Sequence, residues 1–218
     1  MQWQDKGQGF LRKNLSGESE YSSFIPSSLD TVVPVELSEE TVRLLSACSR
    51  KLGELEGMLR FAPNASMYLA MYVRKEALLS AQIEGTQCTF DDILDPGNVE
   101  LAQRDVADVV NYIRATEYAV RRMNELPLCM RLLKEVHAEL LSGTRGSEKN
   151  PGEVRSSQNW IGPAGCGLRN AAYIPPNVDD MHDALGELDK FINSDIAIDP
   201  IVKASLVHYQ FETVHPFL

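Results

Sequence analysis

The residues with the clearest chemical potential form the segment Val207-His208-Tyr209-Gln210-Phe211-Glu212-Thr213-Val214-His215-Pro216-Phe217. The pattern predicts a helix that ends in a turn at Pro216, because proline cannot continue a helix. Such a turn can hold His215 at the mouth of a site. An imidazole has an ordinary pKa of about 6.5, so it can accept a proton near neutral pH. His215 is therefore the candidate general base, and the alternative is a partly buried histidine at a helix end.

His208 is the other histidine of this segment. A spacing of seven residues separates two side chains by about 10 Å along a helix axis, which is too far for both to bind one metal ion. We therefore expect His208 to lie in the core or to support the site from behind.

Composition excludes several classes of function. The net charge of -10 and the pI near 4.9 predict no nucleic-acid partner, because phosphate binding needs a basic surface. The four cysteines form no C-x-x-C pair, so they indicate neither a zinc site nor a redox dithiol. Residues 1–10 lack a signal-peptide core, and no apolar run approaches the roughly 20 residues of a membrane span. We expect a cytoplasmic protein without membrane contact.

Helical patterns dominate the chain. Ser38 is a candidate N-cap, followed by apolar residues at 3-4 spacing up to Leu59. Further helices are predicted at about 66–84, 99–124 and 129–141, with a short turn at 90–94. Another amphipathic helix is marked by Met181, Leu185, Leu188 and Ile192. The pair Asp199-Pro200 predicts the start of the last helix. Gly85 occupies the position of a helix C-terminal glycine.

Two stretches depart from helical periodicity. Residues 1–25 are rich in glycine, serine and charge, and predict a loose arm. Residues 158–174 contain two short apolar segments around a Gly- and Pro-rich loop, which predicts a β-hairpin. The fold class is therefore all-α with one hairpin, and no linker divides it.

Four motifs together resemble the Fic family. Residues 208–217 resemble the entry to its motif H-P-F-x-[D/E]-G-N-G-R-x-x-R, and Ser80-Ala81-Gln82-Ile83-Glu84-Gly85 matches its inhibitory-helix pattern [S/T]-x-x-x-E-[G/N]. Residues 158–176 resemble the Fic flap, and Phe24-Ile25-Pro26 resembles the start of the N-terminal region. Their order is typical of the class with N-terminal self-inhibition.

The resemblance implies a Fic-like helical bundle with one β-hairpin flap. We expect a loose arm at 1–25, an N-terminal helical region with the inhibitory helix at 26–125, and an incomplete Fic core at 126–218. It also implies an adenylyltransferase, in which His215 takes the proton of a Ser, Thr or Tyr hydroxyl of a target protein that attacks the α-phosphate of ATP.

The family's acidic metal ligand, Gly-Asn-Gly loop and arginines would follow Leu218. We therefore expect no metal ligand within this chain, and we expect ATP and Mg²⁺ to act only in the complete protein. The 218-residue chain itself should be inactive. Homodimers are common among Fic proteins, which makes a homodimer an expected partner.

The resemblance assigns Glu84 as the inhibitor, which would pair with the second arginine of the motif, with Ser80 and Gly85 in support. In this chain Glu84 should be solvated or find a substitute partner. The flap residues would pair with an extended target peptide; they are Asn159, Trp160, Ile161, Gly162, Tyr173 and Ile174. The alternatives are a surface glutamate and an ordinary connecting hairpin.

Other functions stay open at this stage. Related chemistry would transfer a different nucleotide or phosphocholine, or would remove AMP. A different class of function is a protein-interaction module that retains the helix and the flap without catalysis. The residues that follow Leu218 would discriminate between the enzyme and the interaction module.

Overall fold

The computed structural model describes residues 8–32, 35–83, 85, 87–94, 103–143 and 148–218. These residues form a mostly helical fold, as the sequence predicts, and they include one two-stranded hairpin. The helices are α1 (Leu29–Val32), α2 (Glu39–Leu59), α3 (Ala65–Ile83), α4 (Phe90–Leu94), α5 (Gln103–Arg122), α6 (Met130–Leu140), α7 (Val178–Ile192) and α8 (Pro200–Val214). No helix among the described residues is long and apolar enough to cross a membrane.

The chain divides into two compact units. The first unit contains the residues up to Glu36, together with Pro127–Met130 and Glu153–Leu218. The second contains Leu37–Leu126 and Arg131–Gly152. The candidate base His215 belongs to the first unit, and the candidate inhibitory segment belongs to the second.

The hairpin lies near the N-terminus, where the sequence predicts a loose arm. Strand β1 (Gly9–Asn14) pairs antiparallel with β2 (Tyr21–Pro26), and Phe10 lies opposite Ile25. The turn uses left-handed backbone at Leu15 and Gly17. Ser23 is fully buried and accepts a hydrogen bond from the Asn14 amide at 2.9 Å. The arm prediction is wrong for residues 9–25, because burial of a small serine gives the strand a packed face that its polar composition conceals.

The segment predicted as a hairpin, residues 158–174, contains one isolated antiparallel bridge between Ile161 and Tyr173. A short 3₁₀ helix at Leu168–Asn170 replaces part of the second strand that the hairpin prediction requires. Pro163 lacks the N–H group that a longer ladder would need. The hairpin prediction for the flap is therefore wrong in its extent, and the region is a loop closed by a single bridged pair.

Helices α7 and α8 carry the core of the first unit. The Asn177 side chain caps α7 by accepting from the Asp180 N–H at 3.0 Å. Asp199 caps α8 by accepting from the Ile201 N–H at 2.8 Å, with Pro200 in the first turn. Two apolar clusters fill the space between the elements, and their buried members are Met181, Ala184, Leu185 and Val214 in one, and Leu29, Leu188 and Phe191 in the other.

The second unit has its core between α3, α4 and α5, around the fully buried Ala77 and Val109. Ser38 caps α2 as predicted, since its hydroxyl accepts from the Thr41 N–H at 3.2 Å. Helix α2 buries none of its residues, and Leu52 and Leu55 of its apolar stripe are exposed. Among the described residues, no helix or strand therefore buries the apolar face of α2.

Candidate functional site

His215 terminates α8 in a left-handed backbone conformation, with φ 46° and ψ 64°. Its N–H donates to the Phe211 carbonyl at 3.0 Å, which closes the last turn of the helix. The following residue is Pro216, and a residue before proline is disfavoured in the right-handed helical region. Histidine tolerates left-handed backbone better than most side chains do. The predicted helix end at the proline turn is therefore present, and it turns the backbone sharply at the candidate base.

Arg155 lies beneath this turn and is only 1% exposed. Its Nε donates to the His215 carbonyl at 3.0 Å, and its Nη2 donates to the carbonyls of Pro176 and Val214. Its own backbone N–H donates to the Pro216 carbonyl at 2.8 Å. A helix C-terminus carries partial negative charge on its unpaired carbonyls. A buried cation at this place is therefore stabilised by the end of α8.

Two further side chains hydrogen-bond the same stretch of backbone. The Asn159 amide nitrogen lies 3.3 Å from the carbonyls of both His215 and Phe217. The Tyr173 hydroxyl donates to the Thr213 carbonyl at 2.6 Å. Each carbonyl from residue 213 to residue 217 therefore receives a hydrogen bond from the segment 155–173, in addition to the packing of Phe217 on Phe211 at 6.1 Å between ring centroids.

The electrostatics favour a neutral imidazole. Burial lowers the pKa of His215 below its ordinary value, and the positive charge of Arg155 lowers it further, while the nearby Glu212 carboxylate raises it. Among the described residues, no side chain hydrogen-bonds the imidazole. A histidine with a lowered pKa is unprotonated at neutral pH and can act as a base.

The remaining flap residues form the surface next to this turn. Trp160 and Ile161 are 41% and 44% exposed, and the Trp160 indole donates to the Cys166 carbonyl at 3.1 Å. Gly162 is closely packed, since a Cβ atom there would lie 2.6 Å from the Cys166 sulfur and 3.2 Å from the Ala172 nitrogen. The Ile174 carbonyl accepts from the Phe24 N–H of β2 at 2.9 Å. Part of the predicted docking edge is therefore already paired within the chain.

The candidate inhibitory residues lie at the end of α3 in the second unit. Ser80 is half-buried, and on the same helix the Glu76 carboxylate accepts a hydrogen bond from the Tyr112 hydroxyl at 3.1 Å. Gly85 has φ 93°, a left-handed conformation that glycine adopts without strain, and its N–H donates to the Gln82 carbonyl. Glu84 lies outside the described residues, so its predicted role as inhibitor stays a prediction.

The structure brings together His215, Asn159 and Tyr173, which the sequence places in two separate motifs. It exposes His208, which we expected either in the core or supporting the site. Sequence reasoning missed Arg155, which follows a polar loop and resembles a surface arginine there. Only the fold reveals that Arg155 is buried.

Metal-ligating side chains are scattered over the described part of the chain. No three His, Cys, Asp or Glu residues there lie close enough to hold a metal ion. All four cysteines are free thiols.

Two family models match the chain. The model described as "Fic/DOC family N-terminal" matches residues 42–121, and the model described as "Fic/DOC family" matches residues 127–218. The first match ends in the last turn of α5, and the second contains the flap and His215. Members of this family commonly transfer AMP or other groups to proteins.

Solved structures share the fold. A Fic family protein from Desulfovibrio desulfuricans G20 is 22% identical, with a TM-score of 0.62, over 84% of this chain and 54% of that one. A Fic domain containing signaling protein from Bacteroides thetaiotaomicron VPI-5482 is 17% identical, with a TM-score of 0.51, over 70% of this chain and 65% of that one. The chain thus spans about half the length of the first of these proteins. With both family models matched in order along most of its length, the chain belongs to the Fic/DOC family.

Proposed function

We propose that the protein takes part in transferring AMP from ATP to a hydroxyl group of a target protein, with His215 as the general base. The observation that carries this proposal is the buried end of α8, where a left-handed turn presents a histidine whose pKa is lowered by its surroundings. The matched Fic/DOC models support the reaction class, and the specific group transferred is our inference.

The chemistry needs one proton transfer and one displacement. The neutral imidazole of His215 accepts the proton of a Ser, Thr or Tyr hydroxyl, and the freed oxygen attacks the α-phosphorus of ATP. A new phosphodiester bond forms while the bond between the α- and β-phosphates breaks, and pyrophosphate leaves. General-base catalysis of this kind contributes typically 10²- to 10⁴-fold to the rate. His215 is the residue of this chain that accepts the proton, and we expect ATP and Mg²⁺ to be held in the complete protein.

The exposed part of the flap is the proposed docking surface for the target. The apolar side chains of Trp160 and Ile161 are exposed to solvent, and they belong to the same unit as His215. When an extended peptide binds, apolar side chains on the receiving surface select among the side chains of the peptide. Ile174 contributes less to this surface, because its carbonyl already pairs with β2.

We also infer self-inhibition by the segment Ser80–Gly85. The sequence pattern of this segment and the left-handed Gly85 that ends it support the inference. The Glu84 carboxylate would occupy an arginine of the motif and keep ATP from adopting the reactive position.

The proposal is tested in a version of the protein that continues past Leu218 with the rest of the motif. That version is incubated with ATP, and the intact mass of the protein and of candidate targets is measured. An added AMP group on a hydroxyl residue supports the proposal. Addition of a different group, or removal of AMP from a modified target without any transfer, contradicts it.

A further inference from the structure

The backbone that carries His215 is strained and depends on hydrogen bonds from outside its helix. Its φ of 46° lies in a region that costs a residue other than glycine free energy. Such a conformation persists only where the surrounding structure fixes it. The intrahelical bond to Phe211 closes the turn, but it leaves the carbonyls after residue 213 without helical partners.

Arg155 and Asn159 provide the missing donors. Arg155 hydrogen-bonds the carbonyls of Val214 and His215 through its side chain, and that of Pro216 through its backbone. Asn159 reaches the carbonyls of His215 and Phe217. The His215 carbonyl therefore accepts hydrogen bonds from both side chains.

The chemistry of these two side chains fits a positioning role better than a general packing role. A guanidinium is a planar fork whose donors keep fixed directions, so it holds several acceptors in one geometry. The guanidinium of Arg155 donates its hydrogen bonds to neutral backbone carbonyls, and no carboxylate among the described residues pairs with it. The buried Oδ1 of Asn159 has no partner among the described residues, so the amide contributes to this site through its donor end.

We propose that Arg155 and Asn159 are positioning residues for His215, whose hydrogen bonds to the carbonyls of residues 214–217 fix the left-handed turn that aims the imidazole. The inference rests on the proposed role of His215 as base, but its geometry can be measured without any transfer activity. The charge of Arg155 also opposes protonation of His215, whereas the Glu212 carboxylate on α8 favours it.

The test uses NMR on the 218-residue chain and on three variants. Arg155→Lys keeps a positive charge but loses the planar fork, Arg155→Met loses both, and Asn159→Ala removes only the amide. The His215 HN–Hα coupling and Cα shift report the left-handed backbone, and the ring resonances report its protonation. Arg12→Lys is the control, because Arg12 pairs with Asp180 in the same unit and makes no contact with residues 214–217.

We expect His215 to lose its left-handed signature in both Arg155 variants, and to lose part of it in Asn159→Ala. The ring pKa of His215 should rise in Arg155→Met. Unchanged His215 signals in folded Arg155 variants would overturn the proposal. If those variants do not fold, Asn159→Ala decides it: a shifted His215 backbone supports the proposal, and an unchanged one overturns it.

In a version of the protein that continues past Leu218, the same variant can be tested by its rate of AMP transfer. Arg155→Lys should lower kcat for AMP transfer by about 100-fold, the loss expected from a misplacement of about 1 Å, with little change in the KM for ATP. A kcat equal to that of the Arg12→Lys control would overturn the proposal. If the unmodified longer protein transfers no AMP, the proposed function fails, and the NMR result alone still decides whether Arg155 and Asn159 position His215.

Discussion

The Tyr173 hydroxyl donates to the Thr213 carbonyl at 2.6 Å and thereby joins the flap to the last turn of α8. Burial raises the pKa of Tyr173, so the hydroxyl stays protonated and keeps donating over the whole physiological range. This bond connects the surface proposed to receive a target with the helix that carries His215.

Removing this hydroxyl should weaken the first unit. Tyr173→Phe keeps the ring against Phe24 but leaves the Thr213 carbonyl without its donor, which should lower the free energy of unfolding by about 1 kcal/mol. Urea denaturation measures the change. Tyr209→Phe is the matched control, since Tyr209 is exposed on α8, and it should change stability by less than about 0.5 kcal/mol. Equal effects of the two changes would contradict the assignment.

The N-cap of α8 should contribute to stability about as much as the hydrogen bond at its C-terminal end. The Asp199 carboxylate caps the helix at the Ile201 N–H, and Asp199→Ala should cost about 1 kcal/mol of stability. Thermal unfolding monitored by circular dichroism reports the loss. Asp195→Ala, at an exposed position just before the cap, provides the control and should leave the midpoint almost unchanged. A cap variant as stable as this control would mean that the hydrogen bond contributes nothing.

The pH dependence of His215 has a definite sign. Because burial and Arg155 lower its folded pKa, the unfolded chain binds a proton more readily than the folded one does. Stability linked to His215 is therefore full above the ordinary pKa of about 6.5 and is lost as pH falls toward the lower folded pKa. An NMR titration of the His215 ring should give a lower midpoint in the folded chain than in the urea-unfolded chain. A higher folded midpoint would reverse the proposed electrostatics.

A second titration concerns the other unit. Hydrogen bonds from Arg122 and Tyr118 lower the pKa of Glu135 to about 2. A carboxylate with a lowered folded pKa stabilises the fold above its unfolded pKa, and this contribution is lost as pH falls from about 4.5 toward 2. Denaturation at several acidic pH values should show a smaller loss in Glu135→Gln. Glu125→Gln, at the exposed end of the same cluster, should retain the full loss.

Self-inhibition is tested by Glu84→Gly in the longer version. Removing the carboxylate should free the arginine that it is proposed to occupy, so auto-modification with labelled ATP should increase severalfold. Glu125→Gly is the control, because Glu125 also follows a helix and lies at the surface. An unchanged signal in Glu84→Gly, or an equal increase in the control, would count against an inhibitory role.

The helices of this protein could be predicted because their signals are local. Ser38, Asp199-Pro200 and Gly85 mark helix ends through hydrogen bonds or backbone conformations that involve a few neighbouring residues. The hairpin could not be placed, because the polar strand β2 is held by burial of Ser23 against residues that the sequence does not reveal. The same limit applies to the site: His215 stands out in its motif, whereas Arg155 gains its role from carbonyls about 60 residues away in the chain.

The central claim is that His215 acts as a base in transfer to a target hydroxyl, and one comparison tests it most directly. In the longer version, the rate of incorporation of labelled AMP is measured for His215→Ala and for His208→Ala, which removes an exposed histidine of the same helix. We expect His215→Ala to lose at least about 100-fold in rate, as the loss of a general base predicts, and His208→Ala to keep the original rate. A His215→Ala protein that transfers AMP as fast as the unmodified protein would contradict the claim.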